Sequence, residues 1–522
     1  MMRSIKMGLL LVCSLFISVV YSMEMPKMKE IVRPVFPNHR LSMLEVGGIG
    51  DGIFDNTAAF ERAMEQLEAE GGGRLEVPFG VWLTGPITFR SNVEMHLQLG
   101  ALILFTPNLD AYPLVKTSFE GQTAFRCQSP ISGRGLRNVA ITGKGAINGS
   151  GDAWRPVKKM KVTEAHWKSL LQSGGGLADP GLWYPTDKAL KGANAQWPSD
   201  LNEDEQVAYM NSMKDFLRPV MVSFIECSNV WLEGVLFENS PSWNIHPLMC
   251  TNVLVEGITV RNPHYAQNGD GLDLESCKNV WVLNSTFDVG DDAICLKSGK
   301  DEEGRKRGMP TEQVWVEGCR VFSGHGGFVV GSEMSGGVRD VVVKNCQFIG
   351  TDIGLRFKST RGRGGVVERV WVDGVSMFNI KREAFLFNLY YGQKAPMDGS
   401  KEPMTYMASE ETPVFKDIYV TNVISNSSER PLLFNGLPEM PISGIRITNS
   451  SFSSRLPSYL SESQDVEMEN VAFLVEDGPA LLFHQVERVA MHRMNLQSKA
   501  ETPIEIKGDR SKKIQLDGLD VP

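Results

Sequence analysis

Over its second half the chain repeats one short arrangement of apolar and polar positions. It reads CSNVWLEGVLF, CTNVLVEGITV, CKNVWVLNSTF, TEQVWVEGCRV, VRDVVVKNCQF, VERVWVDGVSM, FKDIYVTNVIS and ISGIRITNSSF, anchored at Val230, Val253, Val280, Val314, Val341, Val370, Ile418 and Ile445. The anchors stand 23, 27, 34, 27, 29, 48 and 27 residues apart, with fainter copies at Asn92-Val93, Asn138-Val139, Asn470-Val471 and Arg488-Val489. Each unit alternates apolar and polar side chains, favours β-branched residues and ends at Gly or Asn, which describes short strands closed by turns. Several short strands in a period of 23 to 29 residues predict the coils of a parallel β-helix, an all-β fold. The Leu-x-x-Leu-x-Leu signature of leucine-rich repeats is missing, and a propeller blade needs a longer, steadier period.

A solenoid end exposes a strand edge and needs a cap. DNTAAFERAMEQLEAE (55–70) supplies a capping helix, with Asp55 or Asn56 as N-cap and Gly71-Gly72-Gly73 as the stop, and RLEVPFGVWLTGPITF follows as the first strands. The gap between Val139 and Val230 is 91 residues, too long for one coil, and carries Trp154, Trp167, Trp183 and Trp197. It reads as a long insertion over about 150–218, and such insertions gather on the binding face. Rungs assigned from the repeats alone continue over about 415–522, so 23–522 is expected to form a single β-helix domain.

Residues 1–22 carry Arg3 and Lys6, an apolar run from Met7 to Tyr21, and small Val20 and Ser22 at the cleavage positions. The run is short for a membrane span. It predicts a secretory signal peptide, export to the periplasm or exterior, and no membrane association once cleaved. Seven further cysteines include no CxxC pair or metal-spaced His. Cys227, Cys250 and Cys277 each precede an anchor by three residues, and Cys319 and Cys346 each follow one by five, which reads as stacked small hydrophobes. The net charge of −9 argues against a nucleic-acid partner and requires a local basic patch for any polyanionic ligand.

A second repeat concentrates the chemistry. GDGLDLES (269–276), DDAICLKS (291–298), HGGFVVGS (325–332) and DIGLRFKS (352–359) align on Ser276, Ser298, Ser332 and Ser359. Residues two and four before each Ser are apolar and turn inward; those one and three before turn outward, among them Asp273, Glu275, Lys297, Arg356 and Lys358. The fifth position back is always small: Gly271, Ala293, Gly327, Gly354. One column beyond it holds Asp270 and Asp292, and the next holds Asp291 and His325. Stacking on adjacent rungs, about 4.8 Å apart, brings three carboxylates and a His together. Such crowding raises at least one carboxyl pKa and creates a proton donor. Asp352, also in that column, reads as a solvated turn residue.

These residues make the chain resemble glycoside hydrolase family 28, the polygalacturonases. The family's four motifs appear in order as Asn268-Gly269-Asp270, Gly290-Asp291-Asp292, Gly324-His325-Gly326 and Arg356-Phe357-Lys358, with Gly269 for the usual Thr and Phe357 for the usual Ile. The likeness runs from about Gly47 to Tyr391 and includes GDGIFDNTAAF and NSPSWNIHP (239–247). It implies a right-handed β-helix and an enzyme that hydrolyses α-galacturonosyl linkages with inversion and without a cofactor or metal. It implies Asp291 as general acid, Asp270 and Asp292 as holders of the attacking water, and His325 as the group tuning Asp291. Arg356 and Lys358 would bind the sugar carboxylate, with Asn268, Lys297 and Tyr391 completing the substrate contacts. Two carboxyls flanking such a water should stand about 6.5–9.5 Å apart. The insertion and KDEEGRKRGMP (300–310), with Lys300, Arg305, Lys306 and Arg307, would wall off the groove and favour exo attack on galacturonides or pectic side chains. A calcium-dependent pectate lyase on the same fold, or a non-catalytic carbohydrate-binding β-helix, are the rival readings; the acidic cluster could hold a hard cation.

Overall fold

Stacking of the repeated units decides the architecture. The computed structural model describes residues 25–396, apart from 197, 199 and 200, and residues 404–521. The expected signal segment and Trp197 fall outside these residues. Thirty-six of the described strands join one sheet that winds as a parallel β-helix. The anchors pair in one unbroken column, Val93 with Val139, then Val230, Val253, Val280, Val314, Val341, Val370, Ile418 and Ile445. Beyond Ile445 the column continues through Val466 to Val489. Val471 is not an anchor; it pairs with Ser450, because Asn470 belongs to the turn column and hydrogen-bonds Asn449 at 2.8 Å.

The residue before the early anchors is Asn for a physical reason. Asn92, Asn138, Asn229, Asn252 and Asn279 all adopt φ between 52° and 61°, a left-handed conformation that Asn tolerates. Each of the last four donates its side-chain amide to the Asn on the preceding rung, at 2.7–3.0 Å, forming a ladder along the axis. The small column beside the carboxylates is equally constrained. A Cβ on Gly271 would stand 2.8 Å from Phe287, and one on Gly327 would stand 2.5 Å from Phe348. The seven described cysteines are all buried and unpaired, as expected for stacked hydrophobes.

Helix α1 (Thr57–Ala69) closes the N-terminal end, packing Phe60, Met64 and Leu67 into the core. Asn56 is its N-cap, but its side chain binds Ile49, Phe54 and Leu83, while Asp55 accepts from the Thr57 amide. A short strand, Arg40–Ser42, precedes the strands expected after the helix and pairs with Arg74–Glu76. At the other end Lys512–Leu516 is turned back by Leu519–Asp520 in an antiparallel pair.

The long insertion folds as α2 (Glu164–Gln172), α3 (Asp187–Ala193), α4 (Glu203–Asn211) and a three-stranded sheet. Trp167 and Trp183 form its own small core with Val157, against Tyr265 of the coil. A second excursion, the antiparallel hairpin Leu114–Phe119 and Gln122–Cys127, carries Trp154 on its inner side through Cys127 and Tyr112. Helix α5 (Asp301–Arg307) is the third.

Candidate active site

Four consecutive strands carry the site: β1 (Leu272–Glu275), β2 (Asp292–Lys297), β3 (Gly326–Val330) and β4 (Ile353–Lys358). Their pairing follows the alignment on the serines, with Leu274, Leu296, Val330 and Phe357 in one inward column. Asp270 and Asp291 lie in the turns before β1 and β2, and Asp292 opens β2. One oxygen from each of Asp270, Asp291 and Asp292 falls within 4.8 Å of the others. That is shorter than the separation expected for two carboxyls flanking a water. The expected 6.5–9.5 Å is therefore not met: stacking on one face, not placement across a groove, sets the distance.

Exposure separates the three. Asp270 and Asp292 are 3% and 1% exposed, whereas the Asp291 side chain retains 22%. Asp292 accepts from Arg356 Nη1 at 2.8 Å and from Lys358 Nζ at 2.6 Å, so both cations converge on one carboxylate. Burial works against the Asp292 charge, but Lys358, Arg356 and Lys297 outweigh it and hold the carboxyl well below its ordinary value. His325 Nδ1 stands 3.2 Å from Asp291 Oδ1. Burial pulls Asp291 up, yet the His325 hydrogen bond leaves it below the usual carboxylate range. Burial, then the charges of Asp273 and Asp291, pushes Asp270 far up. Crowding does create a raised carboxyl, and it is Asp270 and not Asp291.

Several outward positions are covered. Asp273 and Glu275 are fully buried, Asp273 with neither oxygen hydrogen-bonded. Burial lifts Asp273 to about 8. Lys297 is 3% exposed, paired with Glu333 at 3.1 Å and Asp273 at 3.5 Å, over the Trp243 ring. Its ammonium is a counter-ion to both carboxylates. Asn268 accepts from Arg218 at 2.9 Å, and Tyr391 lies on the groove with its ring 4.9 Å from Lys358 Nζ. Asp352 is not a free turn residue: it pairs with Lys381 at 3.1 Å and approaches His325 Nε2 at 3.9 Å.

Three of the four cations expected on 300–310 are also spoken for. Arg307 binds the buried Glu275 at 2.6 Å, Arg305 binds the Gly362 carbonyl, and Lys306 pairs with Glu302. Helix α5 docks on the protein instead of presenting charge to a sugar. Sequence reasoning missed Lys161, which the insertion delivers to within 3.2 Å of His325 Nε2, and Glu333, the partner of Lys297. The insertion's position on the binding face was the signal for Lys161; Glu333 directly follows the aligned Ser332.

The three Asp side chains could in geometry hold a hard cation, but Asp292 already faces two cationic side chains, which leaves less charge for a metal than an all-carboxylate site provides. The arrangement suits proton transfer and recognition of an anionic sugar instead.

The chain matches the model of the glycosyl hydrolases family 28 over residues 198–471. It is 30% identical over 421 residues to a "Probable polygalacturonase" of Vitis vinifera, covering 79% of this chain and 74% of the relative. It is 26% identical over 446 residues to an exo-poly-alpha-D-galacturonosidase of Dickeya chrysanthemi, covering 83% and 70%. The crystal structure of a hyperthermoactive exopolygalacturonase from Thermotoga maritima superimposes with a TM-score of 0.66 at 30% identity, covering 90% of this chain and 94% of that one. On this likeness, and with the carboxylate cluster and cation pair in place, the chain belongs to glycosyl hydrolase family 28 as a polygalacturonase-type glycosidase acting on pectic substrate.

Proposed function

We propose that the protein is an exported, inverting exo-hydrolase that releases galacturonic acid from the ends of galacturonides or pectic side chains. The observation that carries the reading is the convergence of Arg356 and Lys358, with Tyr391 beside them, on the edge of the three-carboxylate cluster. A uronate carboxylate entering there meets a fork and a point charge that are already fixed in place.

Asp291, the exposed member, faces the glycosidic oxygen. When sugar excludes water from it, Asp291 loses the most hydration of the three, and its carboxyl rises to take the proton that the empty cluster keeps on Asp270. The bond to the leaving oxygen breaks as that proton transfers, and a water oriented by Asp292 and Asp270 attacks the anomeric carbon opposite the leaving group, its proton passing to Asp270. Neither buried carboxylate is suited to direct attack: Asp292 has both oxygens tied to cations, and Asp270 is 3% exposed and, having passed its proton to Asp291, is placed to accept one from the water. That favours a water nucleophile, and so inversion, despite the short carboxyl spacing. Lys161 and His325 hold the orientation of Asp291.

Exo attack is supported by the cavity that hairpin and insertion residues line next to Asn268, and by likeness to the exo-acting proteins of Dickeya and Thermotoga. The test follows viscosity and reducing ends together on polygalacturonate, with NMR of the first product. Reducing ends should rise while viscosity barely falls, with inverted monomer appearing early. A rapid viscosity drop with mixed oligomers overturns exo attack, a retained anomer overturns the water nucleophile, and an unsaturated, calcium-dependent product overturns hydrolysis.

A further inference from the structure

One face of the coil carries no charge, in a protein with 22% charged residues. The strands that lead into the catalytic turns present two outward rows over the C-terminal coils. Pairing gives the first row as Gln347, Ser376, Ile424, Ser451, Ala472 and Asn495. The second row stands two residues further along each strand: Ile349, Phe378, Asn426, Ser453, Leu474 and Gln497. Between them Phe348, Met377, Ser425, Phe452 and Phe473 are buried, which fixes the two rows as outward. Twelve outward positions, about 24 Å along the axis, therefore hold no ionisable side chain. Charge stops one rung earlier, at Arg320, the neighbour of Gln347. The sheet that carries the anchors is the opposite: Lys278, Glu312, Arg339, Glu368 and Lys416 fill one outward row and pair with one another at 2.7–3.1 Å.

The uncharged face mixes exposed rings with free hydrogen-bonding groups. Phe378 is 49% exposed, Ile424 57% and Leu474 41%, and Phe322, on the rung before Ile349, is 47% exposed. Phe322 and Phe378 present their rings two rungs apart, about 10 Å. Seven of the twelve side chains are amides or hydroxyls, and those of Gln347, Ser376, Asn426 and Ser451 have no hydrogen bond to a described residue. Beside the last rungs a groove of about 740 Å³ opens, lined by Asn426, Ser428, Ser453, Gln497 and Ser498 among others, with the Ser498 hydroxyl buried and unpaired. Its charged members, Arg455, Glu476 and Lys499, lie in the turns beyond the strands. Phe322, Ile349 and Phe378 stand three residues before His325, Asp352 and Lys381, so a chain lying along the second row reaches the flank of the catalytic groove.

We infer that this face binds an uncharged polysaccharide, by ring stacking on Phe322 and Phe378 and by hydroxyl–amide hydrogen bonds along both rows. A sugar offers an apolar C–H face to an aromatic ring and a rim of hydroxyls that donate and accept, which matches the two components present here. A galacturonate chain would meet no cation at any of the twelve positions. An apolar partner would bury the four unpaired amide and hydroxyl groups without supplying hydrogen bonds. The inference is independent of the hydrolase reading, since binding here needs no turnover. In an active hydrolase it would keep a neutral branch of the pectic substrate beside the groove.

Native affinity electrophoresis of the full chain provides the test, in gels holding galactan or arabinan, neutral polymers of a hexose and a pentose, and, for an Asp291→Asn background, polygalacturonate. At least one neutral polymer should retard the wild type. Phe378→Ala should weaken the apparent affinity about tenfold, Ser451→Glu, which sets a charge in the first row, should weaken it similarly, and Phe378→Trp should retain it. All three variants should release reducing ends from trigalacturonate at the wild-type rate. Retardation by neither neutral polymer overturns the inference. Retardation left unchanged by both Phe378→Ala and Ser451→Glu places the site elsewhere and overturns it too. A polygalacturonate retardation that Phe378→Ala removes makes the ligand acidic, and a dimer in light scattering that Phe378→Ala dissolves gives the face to a second copy; either result also overturns it. Failure of the hydrolase reading looks different: no reducing ends from trigalacturonate, with retardation by the neutral polymer intact.

Discussion

Lys358→Met separates the two duties that the structure gives to one lysine. The ammonium is buried, 2.6 Å from Asp292 Oδ2, and beside it Arg356 holds Oδ1 at 2.8 Å. Removing one partner of a buried ion pair costs about 3–5 kcal/mol, and the surviving Arg356 contact places the loss at the lower end, about 3 kcal/mol. The catalytic effect has two parts. Loss of a charge-assisted hydrogen bond to the sugar carboxylate costs about 1.5–3 kcal/mol, or about 10- to 100-fold in kcat/KM on free-acid substrate. The second part concerns protonation. Asp292 is depressed because Lys358 and Arg356 outweigh burial, so its ionised form persists far into acid. Without Lys358, burial gains ground, the carboxyl rises, and the acid limb of the kcat profile moves to higher pH. The sign is fixed: a depressed carboxyl supports the native site above its ordinary value and loses that support as pH falls through its folded value. Initial rates on free and methyl-esterified galacturonides between pH 3 and 8, with urea unfolding at each pH, read both parts. An unmoved acid limb together with an unchanged preference for free acid would refute the reasoning.

Asp291→Asn, Asp270→Asn and Asp292→Asn should each lower kcat by several orders of magnitude in folded protein, and near-wild-type turnover removes that residue from the mechanism. Asp273→Asn should stabilise the protein increasingly from about pH 4 and level off above pH 8, because a carboxyl raised to about 8 leaves the fold burdened by its ionisation across that window, at about 1.4 kcal/mol per pH unit; urea midpoints that differ by a constant amount at every pH contradict this. Lys161→Met should lower kcat about 10- to 100-fold with KM and melting temperature little changed, and a loss confined to KM would mean that Lys161 binds sugar instead of holding His325.

The rungs were legible because an inside–outside alternation with a left-handed Asn at its start can be satisfied in only one register. The carboxylate cluster was legible for the same reason: alignment on the serines fixes columns, and columns fix neighbours. Legibility ended where chain outside the coil determines the environment. Lys297, Asp273 and Glu275 point away from the coil axis as the alternation requires, but the 114–127 hairpin, Trp243 and α5 roof them over, so outward did not mean wet. Lys161 and Arg218 sit in or beside irregular excursions whose approach depends on tertiary packing, with no periodicity to follow. The misplaced anchor at Val471 arose because two Asn columns, one before the anchor strand and one in its closing turn, share the same dipeptide.

The site occupies the middle of a structure in which each rung contacts chiefly its neighbours. Asn268 to Tyr391 fall on five successive coils, flanked on both sides by further coils. In such a linear array the ends open first and at little cost, while the interior exchanges only through larger openings. Amides near Lys512–Leu516 should therefore lose protection under conditions where β1 to β4 remain closed and turnover continues. Thermal records of this enzyme then describe two different things: the first loss of signal reports fraying of the terminal coils, and the loss of activity reports the later separation of the four rungs that hold Asp270, Asp292, His325 and Lys358 together.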